Sequence, residues 1–217
     1  MSTPLADGCR HAPATQRNRE PILAVLARVL PPTAAVLEIA SGTGEHAVFF
    51  APALAPRPWL PSDPDPQARR SIEAWRQAQP APNLARPLDL DVTQPDWWRQ
   101  VPQLESSPLG AIVAINLIHI APWSACLGLI KGASQLLPPG GILYLYGPYR
   151  QNGQHTAPSN VAFDQHLKAE NPSWGVRDRE AVVAIATDQG LELLETVAMP
   201  AHNLSLVFRA RPTPDQD

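Results

Sequence analysis

The stretch VLEIASGTGEHAVFFA (residues 36–51) decides the fold. Val36 to Ala40 is short and mostly apolar, which predicts a buried strand. Ser41 to Gly44 has the composition of a tight turn, and Glu45 to Leu54 has that of a helix. A strand, a glycine turn and a helix in this order open a doubly wound α/β sheet.

The same alternation of strands and helices continues along the chain. Helices are predicted at residues 17–32, 66–78, 124–137, 163–170 and 178–189. Strands are predicted at residues 58–62, 85–93 (ending at Asp91), 109–120, 142–149, 191–199 and 203–210. Because only a short turn joins the last two strands, they should pair antiparallel. The predicted fold is a Rossmann-like doubly wound α/β sheet, mostly parallel, with an antiparallel C-terminal strand.

The chain shows no internal repeat and no linker composition. We therefore expect a flexible N-terminal segment at residues 1–17, one domain at 18–210, and a tail at 211–217. Residues 150–162 are polar and loop-like, and residues 150–175 are a candidate lid or substrate loop, since loops over a binding site often carry such residues.

Charge and composition exclude several classes of protein. The net charge is -3 and no run of Lys or Arg forms a basic stripe, which argues against a nucleic-acid partner. No apolar stretch is long enough for a membrane span, and the N-terminus lacks the apolar core of a signal peptide. The two cysteines and six histidines show no ligand spacing, so we expect no metal and a cytoplasmic location.

The glycine turn fits two ligands. Residues Gly42 to Ala47 match the dinucleotide pattern G-x-G-x-x-G/A, and Asp63 follows at the expected distance. Glu45, however, would place a carboxylate at the helix N-terminus, where a pyrophosphate binds. S-adenosylmethionine has no phosphate, so this conflict disappears. The pattern therefore favours S-adenosylmethionine as the cofactor.

Acidic residues near the turn supply hydrogen-bond acceptors for such a ligand. Glu38 precedes the turn and is a candidate for the methionine ammonium; alternatively, it only caps the turn. Asp91 suits the exocyclic amine of adenine, with Asp89 as its rival on the same strand face. Asp63 has a rival in Asp65, because SDPDP also reads as a proline-rich turn.

The sequence resembles the class I methyltransferases, and more closely the methyltransferase-like protein 26 family (domain-of-unknown-function family 938). The matching stretches include RNREPIL, VLEIASGTGEHAVFFA, WLPSDPDP, INLIHIAPW, LLPPGGILYLYGPY, HTAPSNVAFD and AMPAHNLSLVFR, over about residues 17–209. The resemblance implies an S-adenosylmethionine-dependent methyltransferase acting on an O, N or S nucleophile of a small molecule.

The resemblance also implies roles for individual residues. Glu38, Gly42 and Gly44 belong to the first cofactor motif, and Ala40 stands where the family's turn usually has its first glycine. Asp63 corresponds to the acid that binds the ribose hydroxyls, and Asp91 to the residue beside adenine. Asn116 and Leu117 are expected to end the fourth strand below the cofactor.

Candidates for binding and activating the acceptor lie in the later loops. His119 is a candidate general base, with a structural imidazole as the alternative, and Tyr146 is a second catalytic candidate. Arg17 and Asn18 are candidates for the cofactor carboxylate; alternatively, they are a surface arginine and a helix cap. Substrate contacts are expected from Tyr149, His155, Ser159, Asn160, His202 and Asn203.

Two other functions remain open from the residues alone. The first is a nicotinamide-dependent oxidoreductase that uses the same glycine turn, and Glu45 argues against it. The second is a non-catalytic module that binds S-adenosylmethionine without turnover. The sequence leaves the acceptor and the oligomeric state open.

Overall fold

The computed structural model describes residues 8–103 and 107–212. Residues 1–7 of the predicted N-terminal segment and residues 213–217 of the predicted tail lie outside this range, as do residues 104–106. The described residues form an α/β structure built around one sheet.

The helices follow the predicted order. They are α1 (Pro13–Val29), α2 (Glu45–Ala53), α3 (Pro66–Ala78), α4 (Trp123–Leu136), α5 (Pro158–Glu170) and α6 (Arg179–Asp188). Short 3-10 helices are found at Trp97–Gln100 and Pro200–His202. Residues 13–17, predicted to be irregular, are the first turn of α1, and α5 begins five residues earlier than predicted, at Pro158 rather than Phe163. Proline suits both starts because its missing N–H is not needed there.

The strands form a single sheet. They are β1 (Ala35–Ile39), β2 (Trp59–Pro61), β3 (Leu109–Ile115), β4 (Ile142–Gln151), β5 (Gln154–His155), β6 (Arg177–Asp178), β7 (Leu191–Met199) and β8 (Asn203–Ala210). The main path is β2-β1-β3-β4-β8-β7, and the two-residue strands β5 and β6 both pair with β4. The fold is therefore α/β with a mostly parallel sheet, as predicted.

The C-terminal strands form the predicted antiparallel hairpin. β8 pairs antiparallel with β7 and also with β4, whereas β1 pairs parallel with β2. Every residue of β1 is buried, which is expected of a strand covered on both faces.

The strand predicted to end at Asp91 is absent. Residues 85–91 are extended beside β2, but only the isolated bridges Trp59–Leu84 and Ser62–Leu88 join the two segments. Pro61 and Pro87 explain this difference, because a proline has no N–H to donate to a continuous ladder.

The chain divides into two compact units. The first contains the described residues of Met1–Asp91 and Val101–Val113, and the second contains those of Val92–Gln100 and Ala114–Asp217. The first unit includes the glycine turn, and the second includes the residues that follow β3 and β4.

Candidate functional site

The glycine turn between β1 and α2 reverses the backbone through left-handed conformations. The φ angles are 54° at Ala40, 58° at Gly42 and 89° at Gly44. Glycine adopts this region at no steric cost, whereas an alanine there costs about 1–2 kcal/mol. This cost accounts for the glycine that is usual at the position of Ala40. Ala40 itself holds a modest backbone strain next to the site.

The two glycines of the turn serve different purposes. A Cβ placed on Gly44 would lie 2.8 Å from Cα of Ile72 in α3, so Gly44 allows close packing of helix against turn. A Cβ placed on Gly42 would meet nothing within 4 Å. Gly42 thus leaves open space above the turn, where a ligand can approach the backbone.

Asp63 fastens the glycine turn to the end of β2. Its Oδ2 accepts from the N–H of Gly42 at 2.9 Å, and its Oδ1 accepts from the N–H of Asp65 at 2.9 Å. Burial raises the pKa of Asp63, although these two hydrogen bonds lower it. Each carboxylate oxygen can accept a further hydrogen bond, so Asp63 retains acceptor capacity for a ligand hydroxyl.

Asp65, the rival of Asp63, has a structural role. Its side chain accepts from the N–H of Gln67 at 2.8 Å and caps the N-terminus of α3. This capping bond is typical of aspartate at such a position. The structure thus gives the two acids of SDPDP different surroundings, with Asp63 alone bonded to the glycine turn.

Glu38 of β1 is a buried carboxyl group that is hydrogen-bonded to Trp59 of the neighbouring strand β2. Its side chain is nearly inaccessible, with 1% of the residue exposed, and its Oε2 accepts from Nε1 of Trp59 at 2.8 Å. Burial raises the pKa of Glu38 to about 7, and the bond from Trp59 lowers it only in part. A buried carboxyl group of this kind gains from a nearby cation.

We expect Glu38→Gln to stabilise the protein at neutral and alkaline pH. Because the raised pKa means that folded Glu38 holds its proton between pH 4.5 and about 7 while the unfolded chain releases it, stability falls as pH rises through this window. Full ionisation costs roughly 3 kcal/mol, which a neutral amide avoids while still accepting from Trp59. Urea unfolding at pH 5 and pH 8 measures the effect.

The exposed Glu20 of α1 provides a matched control for this substitution. Glu20→Gln should change the free energy of unfolding by the same small amount at both pH values. An equal effect of Glu38→Gln at pH 5 and pH 8 would contradict the interpretation.

Glu45 is the first residue of α2, as predicted, and its carboxylate is buried. It accepts hydrogen bonds from Nδ1 of His11 at 2.9 Å, from the N–H of Ala12 and from Oγ1 of Thr43 at 3.3 Å. The start of α2 is therefore already occupied by a protein carboxylate. An anionic phosphate would meet this charge at the place where dinucleotide-binding folds hold it.

A segment before α1 lies against the glycine turn, and the sequence analysis did not foresee it. The N–H of Arg10 donates to Oγ of Ser71, whose hydroxyl donates to the carbonyl of Thr43 at 2.7 Å. Nε1 of Trp75 donates to the carbonyl of Arg10 at 2.9 Å. The two contacts of Arg10 join residues more than 60 positions apart, a separation that no local pattern predicts.

Asp89 and Asp91 are also in different surroundings. Asp89 lies 2.8 Å from Arg69 and its side chain is 70% exposed, whereas Asp91 is half-buried. The strand alternation expected to place them on one face does not apply, because residues 85–91 are not a strand.

The two candidates on α1, Arg17 and Asn18, have different surroundings. Arg17 is exposed, whereas Asn18 is buried and accepts from Nε2 of His46 at 2.9 Å. The expectation that Asn18 caps a helix is wrong, because α1 has already begun at Pro13. Burial lowers the pKa of His46 to about 4, so this imidazole is neutral at pH 7.

In the second unit, the chain after β3 turns sharply. β3 ends at Ile115, so Asn116 and Leu117 lie just beyond the strand rather than at its end. Asn116 has a φ of 60°, a conformation that asparagine tolerates, and its N–H donates to the carbonyl of Tyr146 at 2.8 Å.

His119 follows this turn and is buried. Its Nδ1 has no hydrogen-bond partner within residues 8–103 and 107–212. Burial lowers the pKa of His119 to about 3, and the nearby Arg177 adds to the effect. A Cβ on Gly147 would lie 2.9 Å from Nδ1, so the glycine of β4 makes room for this ring.

The tyrosines of β4 are both buried. Tyr149 is fully inaccessible, and its hydroxyl has no partner in the described part of the chain. The expectation that Tyr149 lines an acceptor site is not met in this structure, because strand β4 continues past it to Gln151. Tyr146 is 3% exposed and also lies within the core.

The other acceptor candidates lie around α5 and the last turn. Nδ2 of Asn160, a buried residue, donates to Oγ1 of Thr156 at 3.0 Å and to the carbonyl of His202 at 3.2 Å. Ser159 and His202 are exposed. Asn203 donates to the carbonyl of Pro200 at 2.9 Å, which stabilises the turn of the hairpin.

A family model described as "Protein of unknown function (DUF938)" matches residues 9–210. The chain belongs to this family. The match includes residues of both units, so the glycine turn, the Asp63 bond and the residues around α5 all lie within the DUF938 region.

Solved structures of methyltransferases resemble this DUF938 protein. An O-methyltransferase family protein from Burkholderia thailandensis has a TM-score of 0.74 at 15% identity, over 91% of this chain and 57% of that chain. Human N-acetylserotonin methyltransferase, in complex with SAM, has a TM-score of 0.72 at 11% identity, over 92% and 53%. PigF with SAH has 0.71 at 14% identity, over 89% and 56%.

The DUF938 chain thus spans a little over half the length of these solved chains. At such low identity the likeness shows the fold alone, the class I methyltransferase fold. Among the described residues, no helix is long and apolar enough to cross a membrane. Nor does this part of the chain bring three or more His, Cys, Asp or Glu side chains together as metal ligands.

Proposed function

We propose that this protein is a methyltransferase that uses S-adenosylmethionine and acts on a small-molecule acceptor. The observation that carries the proposal is the hydrogen bond from the N–H of Gly42 to Asp63, beside the open space above Gly42. The resemblance to the methyltransferase-like protein 26 family supports the proposal, as do the SAM and SAH bound in two of the solved neighbours.

The donor and acceptor groups of the first unit fit this cofactor. Asp63 would accept from the ribose hydroxyls, since its oxygens retain lone pairs beyond their bonds to Gly42 and Asp65. Glu38 would interact with the methionine ammonium, which offsets the cost of burying its charge. Asp91 remains the candidate for the adenine amine. Glu45 disfavours a diphosphate at the same turn.

When bound, S-adenosylmethionine supplies a methyl group on a sulfonium, already activated for displacement. The protein then needs to orient the acceptor, exclude water and hold the proton of an O–H or N–H nucleophile. His119 remains our candidate for the last task, although its ring is buried in this structure and its Nδ1 has no hydrogen-bond partner among the described residues. Because burial lowers its pKa to about 3, the imidazole is neutral at pH 7, the form in which one ring nitrogen can accept a hydrogen bond.

Calorimetry and thermal unfolding with S-adenosylhomocysteine and NAD test the proposal. We expect the demethylated product to bind and NAD to give no heat. At a concentration one hundred times its Kd, S-adenosylhomocysteine should raise the free energy of unfolding by about 2.7 kcal/mol.

Stabilisation by NAD without a response to S-adenosylhomocysteine would instead support an oxidoreductase. Binding of S-adenosylhomocysteine with no methyl transfer to a broad acceptor panel would support a non-catalytic binding module.

A further inference from the structure

Residues 8–12 form a strap that lies across α3 and the start of α2 in the first unit. At one end of the strap, a Cβ on Gly8 would lie 3.5 Å from Cβ of Ala74 in α3. At the other end, the strap leads directly into α1, which begins at Pro13. None of these five residues belongs to a helix or a strand. Their position therefore depends on the contacts that they make with the two helices.

The backbone of the strap is hydrogen-bonded to buried side chains. The N–H of Arg10 donates to Oγ of Ser71, and the carbonyl of Arg10 accepts from Nε1 of Trp75, both at 2.9 Å. The N–H of Ala12 donates to Oε2 of Glu45. Ser71, Trp75 and Glu45 are all buried, so the docked strap supplies partners to polar groups that the fold shields from water.

His11 fastens the strap through its side chain. Nδ1 of His11 lies 2.9 Å from Oε1 of Glu45, and the imidazole meets the ring of Trp75 edge-on, with a centroid distance of 5.0 Å. The side chain of His11 is 45% exposed. His11 thus holds the strap in place without being part of the hydrophobic core.

Two of the groups that hold the strap also hold the glycine turn. Oγ of Ser71, which accepts from the strap, donates to the carbonyl of Thr43 at 2.7 Å. The carboxylate of Glu45, which also accepts from the strap, accepts from Oγ1 of Thr43 at 3.3 Å. Thr43 is the residue between the two glycines of the turn. A strap that leaves Ser71 and Glu45 therefore changes the hydrogen bonding around the turn.

The strap also borders the end of β2. Nη1 of Arg10 lies 4.0 Å from Oδ2 of Asp65, two residues after the acid that accepts from the N–H of Gly42. Both side chains of this ion pair are about half exposed, so the pair itself contributes little stability. Its position shows that the strap lies beside both parts of the proposed cofactor site, the glycine turn and the segment around Asp63.

We propose that the strap and the cofactor stabilise each other. The strap, docked on Ser71 and Glu45, holds the glycine turn in the conformation that binds S-adenosylmethionine, and the bound cofactor keeps the strap docked. The inference rests on the proposed methyltransferase function and deepens it by naming a segment that regulates the cofactor site. Such coupling is reciprocal: undocking weakens cofactor binding by the same factor by which bound cofactor disfavours undocking.

Amide hydrogen exchange in the full-length protein, followed by NMR with and without saturating S-adenosylhomocysteine, tests the coupling. The N–H groups of Arg10 and Ala12 report on the docked strap, since both donate to buried side chains. Saturating S-adenosylhomocysteine should slow exchange at both positions by at least about fivefold, the lower end of typical coupling between sites. The N–H of Leu30, bonded to the carbonyl of Leu26 at the far end of α1, should keep its rate.

His11→Ala loosens the strap without touching the turn, because it removes the bond to Glu45 and the ring contact with Trp75. Calorimetry should show that S-adenosylhomocysteine binds about threefold more weakly, and by no more than the factor found by exchange. His166→Ala is the matched control. Nε2 of His166 lies 3.1 Å from Oε1 of Glu170 within α5, an exposed pair of the same kind, so the Kd should stay unchanged.

The same measurements separate this inference from the proposed function. If S-adenosylhomocysteine binds but leaves exchange at Arg10 and Ala12 unchanged, the coupling is wrong and the proposed function stands. A Kd for His11→Ala equal to that of the unmodified protein would have the same meaning. If the unmodified protein does not bind S-adenosylhomocysteine at all, the proposed function is refuted, and the coupling of the strap to this cofactor is refuted with it.

Discussion

Gly44→Ala is expected to lower the free energy of unfolding by about 3 kcal/mol. About 1–2 kcal/mol of this is the cost of a left-handed alanine, and the rest is overpacking against α3. The added Cβ would lie 2.8 Å from Cα of Ile72, which is backbone and cannot rotate away. Chemical denaturation monitored by circular dichroism measures the change. The turn should also shift, so S-adenosylhomocysteine binding should fall.

Gly140→Ala is the matched control for the clash. Gly140 has a φ of 85°, close to the 89° of Gly44, but a Cβ there would meet nothing within 4 Å. Gly140→Ala should therefore lower the free energy of unfolding only by the cost of a left-handed alanine, about 1–2 kcal/mol. Equal losses in the two variants would show that contact with Ile72 is unimportant.

Asp63→Asn is expected to weaken S-adenosylhomocysteine binding about 10- to 100-fold. The substitution keeps the shape of the side chain but replaces one acceptor oxygen by an NH₂ group, so the bonds to the N–H groups of Gly42 and Asp65 cannot both form. It also removes the charge that would strengthen hydrogen bonds from ribose hydroxyls. Bonds to a charged group contribute about 1.5–3 kcal/mol each. Isothermal titration at a temperature where both proteins are folded gives the ratio of Kd values.

Asp65→Asn makes the same chemical change two residues away. Asparagine caps helices as well as aspartate does, so α3 should keep its start and the Kd should stay within about twofold. Should Asp65→Asn weaken binding as much as Asp63→Asn, the assignment of Asp63 to the ribose would be wrong.

The glycine turn was predictable because each of its residues is constrained locally. A buried apolar strand must be followed by a turn, and glycines permit the φ angles found at positions 42 and 44. Glu45 at the start of α2 follows from the same reasoning. The antiparallel pairing of β7 and β8 was predictable too, since three residues leave no room for a crossover.

The predictions that were wrong concern features that depend on partners distant in the sequence. Residues 85–91 have a strand-like alternation, but hydrogen bonding to β2 decides whether a ladder forms, and Pro61 and Pro87 prevent it. The prediction that Asp89 and Asp91 lie on the same strand face was wrong for the same reason. Likewise, nothing near Asn18 in the sequence indicates that its amide meets His46, 28 residues away.

The region after β4, where we predict contacts with the acceptor, was predictable only in part. The polar composition of residues 150–162 suggested a loop, whereas Pro158 begins a helix whose Asp164 reaches His155. Tyr149 reads as a residue near the end of its strand, yet it is enclosed because β4 extends two residues further. Burial of this kind is a property of the packed chain and leaves no local signal.

The interrupted pairing beside β2 has a consequence for how copies of this chain behave together. β2 lies at one end of the sheet path, where unpaired backbone groups would invite a strand from another molecule. Pro61 and Pro87 have no N–H to donate at this edge of the sheet, and the bridges at Leu84 and Leu88 pair other backbone groups of β2 and the residue after it. This edge of the sheet should accordingly resist pairing with a strand of another molecule.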